Sequence, residues 1–459
     1  MKTLKSSLTR RSFVKGSSAG LAGITLAGIT SKSLAAFSRK ADKLALFGGP
    51  PVRSKPFSTV WPIFGDREEK ALLKALRSRD WCCLRGHSVY DFEKTFAHDM
   101  GVSKCTLSNG GTTALRSALQ CLGVGAGDEV ITTPHTFIAT INPICNSHAL
   151  PVFVDIDPDT GSINAELIEA AITEHTKAIL PVHLGGWPVD IEKIMRIANK
   201  HGIPVVEDAC QSVYSEVNGR KVGTFGAAGC ISFQEWKTLV CGEGGAMLMK
   251  DPELIRRCTA YVNNGRDPNG EIKGYPYPGS NHRMTEFQGA ILTEQYHRFK
   301  EHDRQRQKNG RTLEEELCKI PGLTPRKRYT PNTRITYFRF ELDYNPALFK
   351  NVPASKFGQA LQAEGVPLSG GPREYHNGCH QEGMLEDHLK SRGFQTVFSK
   401  ARLQHYRDSI DLPVMEGRVT AKKHMLSGDT KIALLGKRHE INQIIDAFHK
   451  VVKNIDQLI

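Results

Sequence analysis

The stretch that decides the fold, residues 229–246, reads G-C-I-S-F-Q-E-W-K-T-L-V-C-G-E-G-G-A. Its single lysine, Lys237, stands between a short apolar run at 230–233 and a glycine pair at 244–245. Upstream, the acid Asp208 ends another apolar run. Pyridoxal 5'-phosphate (PLP) needs such groups, because a carboxylate keeps its pyridine nitrogen protonated and an amine forms a Schiff base with it. The stretch therefore predicts a PLP site, while the alternative for Asp208 is a structural role as the N-cap of a following helix.

Strand-like and helix-like segments alternate through the first two thirds of the chain. The predicted strands are 104–107, 128–132, 151–155, 178–182 and 203–207, and the predicted helices begin at 66, 90, 113, 137, 165 and 191. Such alternation predicts an α/β fold with a mostly parallel sheet and helices on both of its faces. Ligands bind beyond the carboxyl ends of such strands, where Asp208, Phe137 and the loop 109–112 all fall.

Near residue 321 the pattern changes to mixed strands and helices, with a predicted strand at 335–342 and predicted helices at 353–364 and 440–452. This change predicts a smaller C-terminal α+β domain. The expected organisation is a signal peptide at 1–36, a lead-in at 37–65, a large PLP-binding domain at 66–320 and a small domain at 321–459.

Two local patterns fit a bound phosphate and a planar ring. The loop Asn109-Gly110-Gly111-Thr112 lies between a strand and a helix, where backbone N–H groups and a hydroxyl can hold a phosphate. Phe137, after the next strand, is placed to stack on a ring. Each pattern has a structural alternative, since glycine-rich turns are common and an aromatic residue at a helix start often belongs to the core.

The N-terminus carries R-R-S-F-V-K at 10–15, then a weakly apolar Gly/Ala-rich stretch at 16–30 and S-L-A-A at 33–36. It resembles a twin-arginine export signal, which predicts export by the twin-arginine machinery to the periplasm, with an uncleaved membrane-anchored form as a variant. The alternative is a chance basic start before a weakly apolar helix.

The net charge of +13 does not indicate nucleic acid, because residues 1–36 hold six lysines and arginines without an acid and no nucleic-acid motif occurs. The basic cluster 325–328 is expected to be a solvated surface patch. Eleven cysteines show no metal-binding or disulfide spacing. His376, His380 and His388 are interpreted as solvated histidines of a loop, and a metal site is the alternative. No metal is therefore expected.

Six segments together resemble one known family. They are S-N-G-G-T-T-A-L (108–115), F-V-D-I-D-P-D-T-G (153–161), P-V-H-L-G-G-W-P-V-D (181–190), V-E-D-A-C-Q-S (206–212), S-F-Q-E-W-K-T-L-V-C-G-E-G-G (232–245) and G-S-N-H-R-M-T-E-F-Q-G-A (279–290). From about residue 44 onward the chain resembles the DegT/DnrJ sugar aminotransferases. The resemblance implies a fold-type I PLP transferase, a homodimer with active sites at the subunit interface, and a role in polysaccharide biosynthesis.

The resemblance also implies roles for individual residues. Lys237 would be the Schiff-base lysine, Asp208 the partner of the pyridine nitrogen, Gln211 the partner of the phenolic oxygen, Phe137 the stacking ring, and Gly111, Thr112 and Ser232 the phosphate ligands. Asn281 would reach the phosphate in the neighbouring subunit, and His183 would lie near the substrate.

The implied reaction moves an amino group from glutamate or glutamine to a keto sugar or keto-cyclitol, and S-F-Q before Lys237 resembles the keto-cyclitol branch. Retention of lysine favours transamination over the dehydration seen where histidine replaces it. Gly185-Gly186-Trp187 replaces the family's Tyr-Gly-Gln and Val213-Tyr214 replaces its His-Gly, which predicts an altered substrate pocket. The alternatives are a PLP enzyme of another reaction type, such as a dehydratase, and an exported binding or regulatory protein.

Overall fold

The computed structural model describes residues 43–371, 375, 377–417, 424–429 and 431–459. The predicted signal at 1–36 lies outside these residues. The α-helices are α1 Asp66–Ser78, α2 Ser88–Met100, α3 Gly111–Cys121, α4 Asn142–Asn146, α5 Ala165–Ile168, α6 Ile191–His201, α7 Pro252–Val262, α8 Glu286–Leu317, α9 Ala354–Ala363, α10 Gly383–Lys390, α11 Arg392–Val397, α12 Lys400–Ser409 and α13 Arg438–Lys453. The strands are β1 Lys104–Ser108, β2 Glu129–Thr132, β3 Leu150–Phe153, β4 Thr176–Leu180, β5 Val206–Asp208, β6 Glu216–Val217, β7 Arg220–Lys221, β8 Ala228–Ser232, β9 Gly245–Met249, β10 Leu323–Pro325, β11 Thr333–Arg334, β12 Arg339–Tyr344, β13 Ser369–Gly371 and β14 His424–Asp429.

Helix boundaries follow local signals. Helix α6 begins after Asp190, whose side chain accepts a hydrogen bond from the Lys193 nitrogen, and it ends at Gly202 with a φ of +66°. Glycine adopts this left-handed conformation without a Cβ penalty. Helix α8 begins at a capping box formed by Thr285 and Gln288. Within the described part of the chain, no helix combines the length and apolar character that crossing a bilayer requires.

The large domain is built on one sheet with strand order β3-β2-β4-β5-β8-β9-β1. Strand β2 is parallel to β3 and β4, and β5 is parallel to β8. Isolated parallel bridges, Ile179 to Val205 and Val182 to Asp208, join β4 to β5. Strand β9 is antiparallel to both of its neighbours, β8 and β1. The predicted α/β fold with a mostly parallel sheet is confirmed, and β9 is the one strand of this sheet that runs the other way.

Alternate residues of these strands enter two separate apolar cores, one on each face. The first core receives Ile131, Ile179, Val205, Ile231 and Leu248 and is covered by α2, α6 and α8. The second receives Val130, Ala178, Val206, Cys230 and Met247 and is covered by α3 and α7. The sheet is therefore buried on both faces, which explains why its strands are nearly continuous apolar runs.

The small domain has a third core around the antiparallel sheet β10-β12-β14-β13. Helices α9 and α13 contribute to it, and so does the end of α8 through Leu313 and Leu317. The start of the described chain joins this core through Leu44, and Arg53 forms a buried 2.9 Å ion pair with Glu440. The segment from 43 to the late fifties therefore packs as part of the small domain rather than as a separate lead-in.

Residues 379–415 do not join the core of the small domain. Cys379, Phe394, Leu403 and Tyr406 instead pack with Ile141 and its neighbours on the large domain. This insertion therefore packs against the large domain, because its apolar side chains are covered by α4 and β3.

The basic cluster 325–328 is only partly the solvated patch that the sequence predicts, because Lys327 is exposed whereas Arg326 is buried. Arg326 is 2% exposed and pairs with Glu341 at 2.6 Å. The guanidinium groups of Arg326 and Arg328 lie 5.0 and 5.4 Å from the ring centre of Trp187, which is buried. A buried guanidinium requires partners such as Glu341 and the ring of Trp187. These partners lie in other segments of the chain, so a run of basic residues in the sequence does not indicate that one of them is buried.

Candidate active site

A cavity of about 510 Å³ lies at the carboxyl ends of the central strands, against the small domain. Its walls include seven of the residues predicted from the sequence: Gly111, Thr112, Phe137, Asp208, Gln211, Ser232 and Lys237. Phe338 and Arg339 line it from the small domain. The fold therefore gathers groups that are more than a hundred residues apart in the chain.

One end of the cavity is a cradle at the N-terminus of α3. Gly110 precedes the helix without a side-chain cap, so the first backbone N–H groups of α3 have no partner within the helix. A Cβ added to Gly111 would lie 2.8 Å from the Ser232 Cβ and 3.0 Å from the Cys210 Sγ. Only glycine therefore lets the hydroxyl of Ser232 approach this helix end. Backbone donors, the helix dipole and hydroxyls together suit a phosphate.

Asp208 lines the cavity as well and is 6% exposed. Its Oδ2 accepts a 2.8 Å hydrogen bond from the Thr140 hydroxyl, and its Oδ1 accepts one of 3.1 Å from the Cys210 nitrogen. The next described helix, α7, begins only at Pro252, so Asp208 is not a helix N-cap. An N–H donor on a cationic ring is the partner that such a buried carboxylate favours.

Lys237 lies on the loop that joins β8 to β9. The loop is closed by backbone hydrogen bonds, including Glu235 N to Gly242 O and Cys241 N to Phe233 O, both 2.9 Å. The Lys237 Nζ lies 5.2 Å from the centre of the Phe338 ring. The small domain therefore places an aromatic ring beside the amine that is expected to form the Schiff base.

Two distant groups hold the same loop. The indole nitrogen of Trp61 donates a 2.7 Å hydrogen bond to the Glu235 oxygen. The ammonium of Lys431, a buried residue of the small domain, donates one of 3.1 Å to the Trp236 oxygen. The Lys431 Nζ also lies 4.9 Å from the Trp236 ring centre. The loop that carries Lys237 is thus attached to the small domain as well as to the sheet.

Gln211 and Phe137 line the remaining walls. The Oε1 of Gln211 accepts a 2.8 Å hydrogen bond from the Gly185 nitrogen, which fixes the amide orientation and leaves Nε2 as its donor. The Phe137 ring is 50% exposed, and its centre lies 6.0 Å from that of Tyr375, a residue that follows β13. A half-exposed ring at a cavity wall can stack on a planar ligand.

His183, the expected substrate neighbour, is fully buried and does not line the cavity. Its Nε2 lies 3.1 Å from the Glu207 carboxylate and its Nδ1 accepts a hydrogen bond from the Val189 nitrogen. Both ring nitrogens of His183 are engaged inside the protein, and its place near the substrate stays a prediction. Asn281 is exposed outside this cavity, and its contact with a neighbouring subunit stays a prediction.

Sequence reasoning missed several cavity residues, among them Thr140, Trp236, Phe338, Arg339 and Tyr375. Only Arg339 carried a usable signal, because it is the one cation in the predicted strand 335–342. The other residues carry no sequence signal that indicates a binding site, and only the folded structure brings them to the cavity wall.

The histidines considered for a metal also differ from expectation. His380 is largely buried, 3.4 Å from the Glu416 carboxylate, and burial lowers the pKa of its imidazole. His388 is half-buried against Phe394, and His376 lies outside the described residues. Across the described part of the chain, no group of three or more histidine, cysteine or acidic side chains is arranged for a metal ion.

Known proteins resemble this chain over nearly its whole length. Residues 63–417 match the DegT/DnrJ/EryC1/StrS aminotransferase family. L-glutamine:2-deoxy-scyllo-inosose aminotransferase of Streptomyces kanamyceticus is 34% identical over 435 residues, which cover 90% of this chain and 98% of that protein. L-glutamine:scyllo-inosose aminotransferase of Streptomyces griseus is 30% identical over 91% of this chain and 99% of its own length. The X-ray structure of an aminotransferase from Psychrobacter cryohalolentis matches with a TM-score of 0.74 and 30% identity, over 87% of this chain and all of that one.

The cavity fits PLP on its own chemistry. The cradle at Gly111 would be filled by a Cβ, and it offers donors for a phosphate at one end. Asp208 supplies the acid that a pyridine nitrogen needs, and Lys237 supplies the amine, both on the wall of the same cavity. The chain belongs to the DegT/DnrJ/EryC1/StrS family and is a PLP-dependent aminotransferase.

Proposed function

We propose that this enzyme transfers the amino group of L-glutamine to the keto group of a cyclitol related to scyllo-inosose. The observation that carries the proposal is the placement of Lys237 and Asp208 in one cavity with the cradle at Gly111. The choice of donor and acceptor is supported by relatives named for L-glutamine and inososes, which match over 90% of the chain. A cavity of about 510 Å³ suits a cofactor and a six-membered ring.

PLP, when bound, supplies an aldehyde that accepts the amino group and a ring that delocalises negative charge. The carboxylate of Asp208 keeps a proton on the pyridine nitrogen, and Thr140 and the Cys210 nitrogen orient that carboxylate. The amine of Lys237 would take the proton from the α-carbon of the donor and pass it to the carbon that receives the amino group, and it would move a proton in the opposite direction when the acceptor is aminated. Phe338 shields this amine from water.

The test uses purified protein, PLP, L-glutamine and either scyllo-inosose or 2-deoxy-scyllo-inosose, with the aminocyclitol measured by mass spectrometry. Glutamate and alanine serve as competing donors, and a nucleotide-linked keto sugar serves as a competing acceptor. We expect the aminocyclitol to form with glutamine and to disappear in Lys237→Ala, together with the visible absorbance of the lysine-bound cofactor. Amination of the nucleotide-linked sugar alone would contradict the acceptor, and unchanged activity of Lys237→Ala would contradict the mechanism.

We further propose a homodimer and export by the twin-arginine pathway. The dimer is supported by the position of Asn281 outside its own cavity, as expected for a residue that serves a partner. Export is supported by R-R-S-F-V-K at 10–15. A free cyclitol would suit an exported enzyme, since nucleotide-linked sugars are cytoplasmic. A role in polysaccharide biosynthesis stays a prediction.

Light scattering of the purified protein tests the dimer, and fusion of residues 1–36 to a reporter that needs folded export tests the signal. Arg10→Lys combined with Arg11→Lys should abolish export of the reporter. A monomer, or export that survives this double substitution, would contradict the respective proposal.

A further inference from the structure

Arg339 is the first residue of β12 and brings a cation to the cavity from the small domain. The preceding residue, Phe338, is the ring that lies 5.2 Å from the Lys237 Nζ. The side chain of Arg339 is partly buried, and it shares the cavity wall with Gln211. Arg339 therefore lines the same cavity as the amine at which an amino donor must react.

The aliphatic part of the Arg339 side chain packs against Gly185. A Cβ added to Gly185 would lie 3.5 Å from the Arg339 Cβ and 3.7 Å from its Cδ. Side chains larger than alanine would therefore compete with the arginine stem for this space. Gly185 also has a φ of +70°, which favours glycine, and its nitrogen donates to Gln211. The backbone at Gly185 thus positions two side chains of the cavity at once.

The loop that contains Gly185 is itself held firmly. Trp187 lies beneath the guanidinium groups of Arg326 and Arg328, and the Ser215 hydroxyl donates a 2.7 Å hydrogen bond to the Gly186 oxygen. Anchoring of this kind fixes the support of Arg339 before any ligand binds. A preorganised guanidinium loses less conformational freedom on binding, which increases its contribution to affinity.

The charges of the cavity indicate what Arg339 binds. Among the lining residues that the structure describes, the charged side chains are Asp208, Lys237, Glu243 and Arg339. Asp208 and Lys237 serve the cofactor, and Glu243 is an exposed acid. An α-amino acid brings a carboxylate next to its reacting amine, and a guanidinium binds a carboxylate through two parallel hydrogen bonds.

A free cyclitol ketone carries no anionic group, so a partly buried cation in this cavity matches the donor and not the acceptor. We propose that Arg339 binds the α-carboxylate of the amino donor and so defines the donor subsite. This inference rests on the proposed function and adds a residue that selects α-amino acids over simple amines.

The experiment compares L-glutamine with its α-amide, in which an uncharged carboxamide replaces the α-carboxylate. The wild-type enzyme should prefer glutamine, and Arg339→Gln should lose roughly 10- to 100-fold of that preference in kcat/KM, the usual effect of a charge-assisted hydrogen bond. Arg339→Lys should restore part of it, because it keeps the charge without the planar fork. Arg438→Gln, which removes an exposed arginine at the start of α13, is the matched control and should keep the full preference.

Four further measurements separate the outcomes. The Kd for PLP and the thermal midpoint should stay near wild-type values in Arg339→Gln, which shows an intact fold. The rate at which enzyme preloaded with pyridoxamine phosphate aminates scyllo-inosose should also stay unchanged. Binding of 2-methyl-L-glutamine, which lacks the α-hydrogen, should weaken in Arg339→Gln and gives a readout without turnover.

An Arg339→Gln enzyme that keeps the preference for the carboxylate, or that loses only the acceptor half-reaction, would overturn the assignment. If Arg339→Gln does not fold, the same comparison in Arg339→Lys decides. A wild-type protein that transfers an amino group from no donor would instead contradict the proposed function, so the two failures are distinguishable.

Discussion

The backbone of Gly245 passes the turn at Gly110 so closely that a Cβ on Gly245 would lie 2.3 Å from the Gly110 oxygen. It would also lie 2.7 Å from the nitrogen of Gly111. Strand β9 therefore packs directly against the phosphate cradle, and the last glycine of the G-E-G-G stretch at 242–245 is required by packing. Gly244 has a similar constraint, since its Cβ would meet the Met284 and Cys241 side chains at 2.7 and 2.8 Å.

Replacement of Gly245 by alanine should displace the cradle and weaken PLP binding. Overpacking typically costs about 1–3 kcal/mol, so the Kd for PLP should rise roughly 10- to 100-fold. The measurement is an absorbance titration of the apoprotein with PLP. Gly125→Ala is the matched control, because a Cβ there meets nothing within 4 Å. Equal affinities in Gly245→Ala and Gly125→Ala would contradict the role of this contact.

Removal of the charge at Asp208 should slow the reaction without unfolding the protein. Asp208→Asn should lower kcat/KM for the donor roughly 10- to 100-fold, because hydrogen bonds to charged groups contribute about 1.5–3 kcal/mol. Thr140→Val should have a smaller effect, since Asp208 keeps the hydrogen bond from the Cys210 nitrogen. Thr140→Ser retains the hydroxyl and should behave like the wild type. A loss in Thr140→Ser as large as in Thr140→Val would show that packing, not the hydrogen bond, matters.

Lys431 should act as a positioning residue for the loop that carries Lys237. Lys431→Met removes the ammonium that donates to the Trp236 oxygen, so kcat should fall by roughly tenfold while KM for the donor changes little. Lys431→Arg should recover part of kcat. Steady-state kinetics and the thermal midpoint are measured together, with Lys327→Met, at an exposed lysine, as the control. A lower thermal midpoint with unchanged kcat would indicate a purely structural role.

Glu440 should make the attachment of the N-terminal segment sensitive to acid. Burial alone raises the pKa of this carboxyl, but hydrogen bonds from the Lys437 nitrogen, from Ser58 and from Arg53 lower it to about 2. A depressed pKa contributes stability that is complete above the unfolded value of 4.5 and is lost as the pH falls towards 2. Glu440→Gln should therefore reduce the free energy of unfolding by about 3 kcal/mol at pH 7 and by progressively less below pH 4.5.

Urea unfolding of the wild type and of Glu440→Gln between pH 7 and pH 3 measures this difference. Glu316→Gln, which disrupts an exposed pair with Lys319, should leave the unfolding midpoint nearly unchanged at every pH. A constant difference between Glu440→Gln and wild type across the pH range would rule out titration of Glu440 as its cause.

Local patterns were sufficient for the framework of the large domain. Predicted helix 191–201 coincides with α6, and the strand before Asp208 and the strand before Lys237 both form. Such elements depend on periodicity, caps and glycines that lie within a few residues of one another. The predicted helix 137–145 is less regular, because a 3-10 turn at Ile138–Thr140 precedes α4. Pro143 at the start of α4 explains that break, since proline suits the first turn of a helix and not its interior.

The sequence by itself determined the α/β class, the cofactor chemistry of Lys237 and Asp208, and the cradle at Gly111. Each of these depends on a strand end, a glycine or a loop, and neighbouring residues in the sequence set the conformation of such elements. Only the tertiary structure decided that Arg339 from the small domain lines the cavity together with Lys237, that the cation of Arg326 is buried, and that His183 is buried and does not line this cavity. The reason is physical: the burial of a charge and the walls of a cavity depend on partners distant in the chain, which no local pattern records.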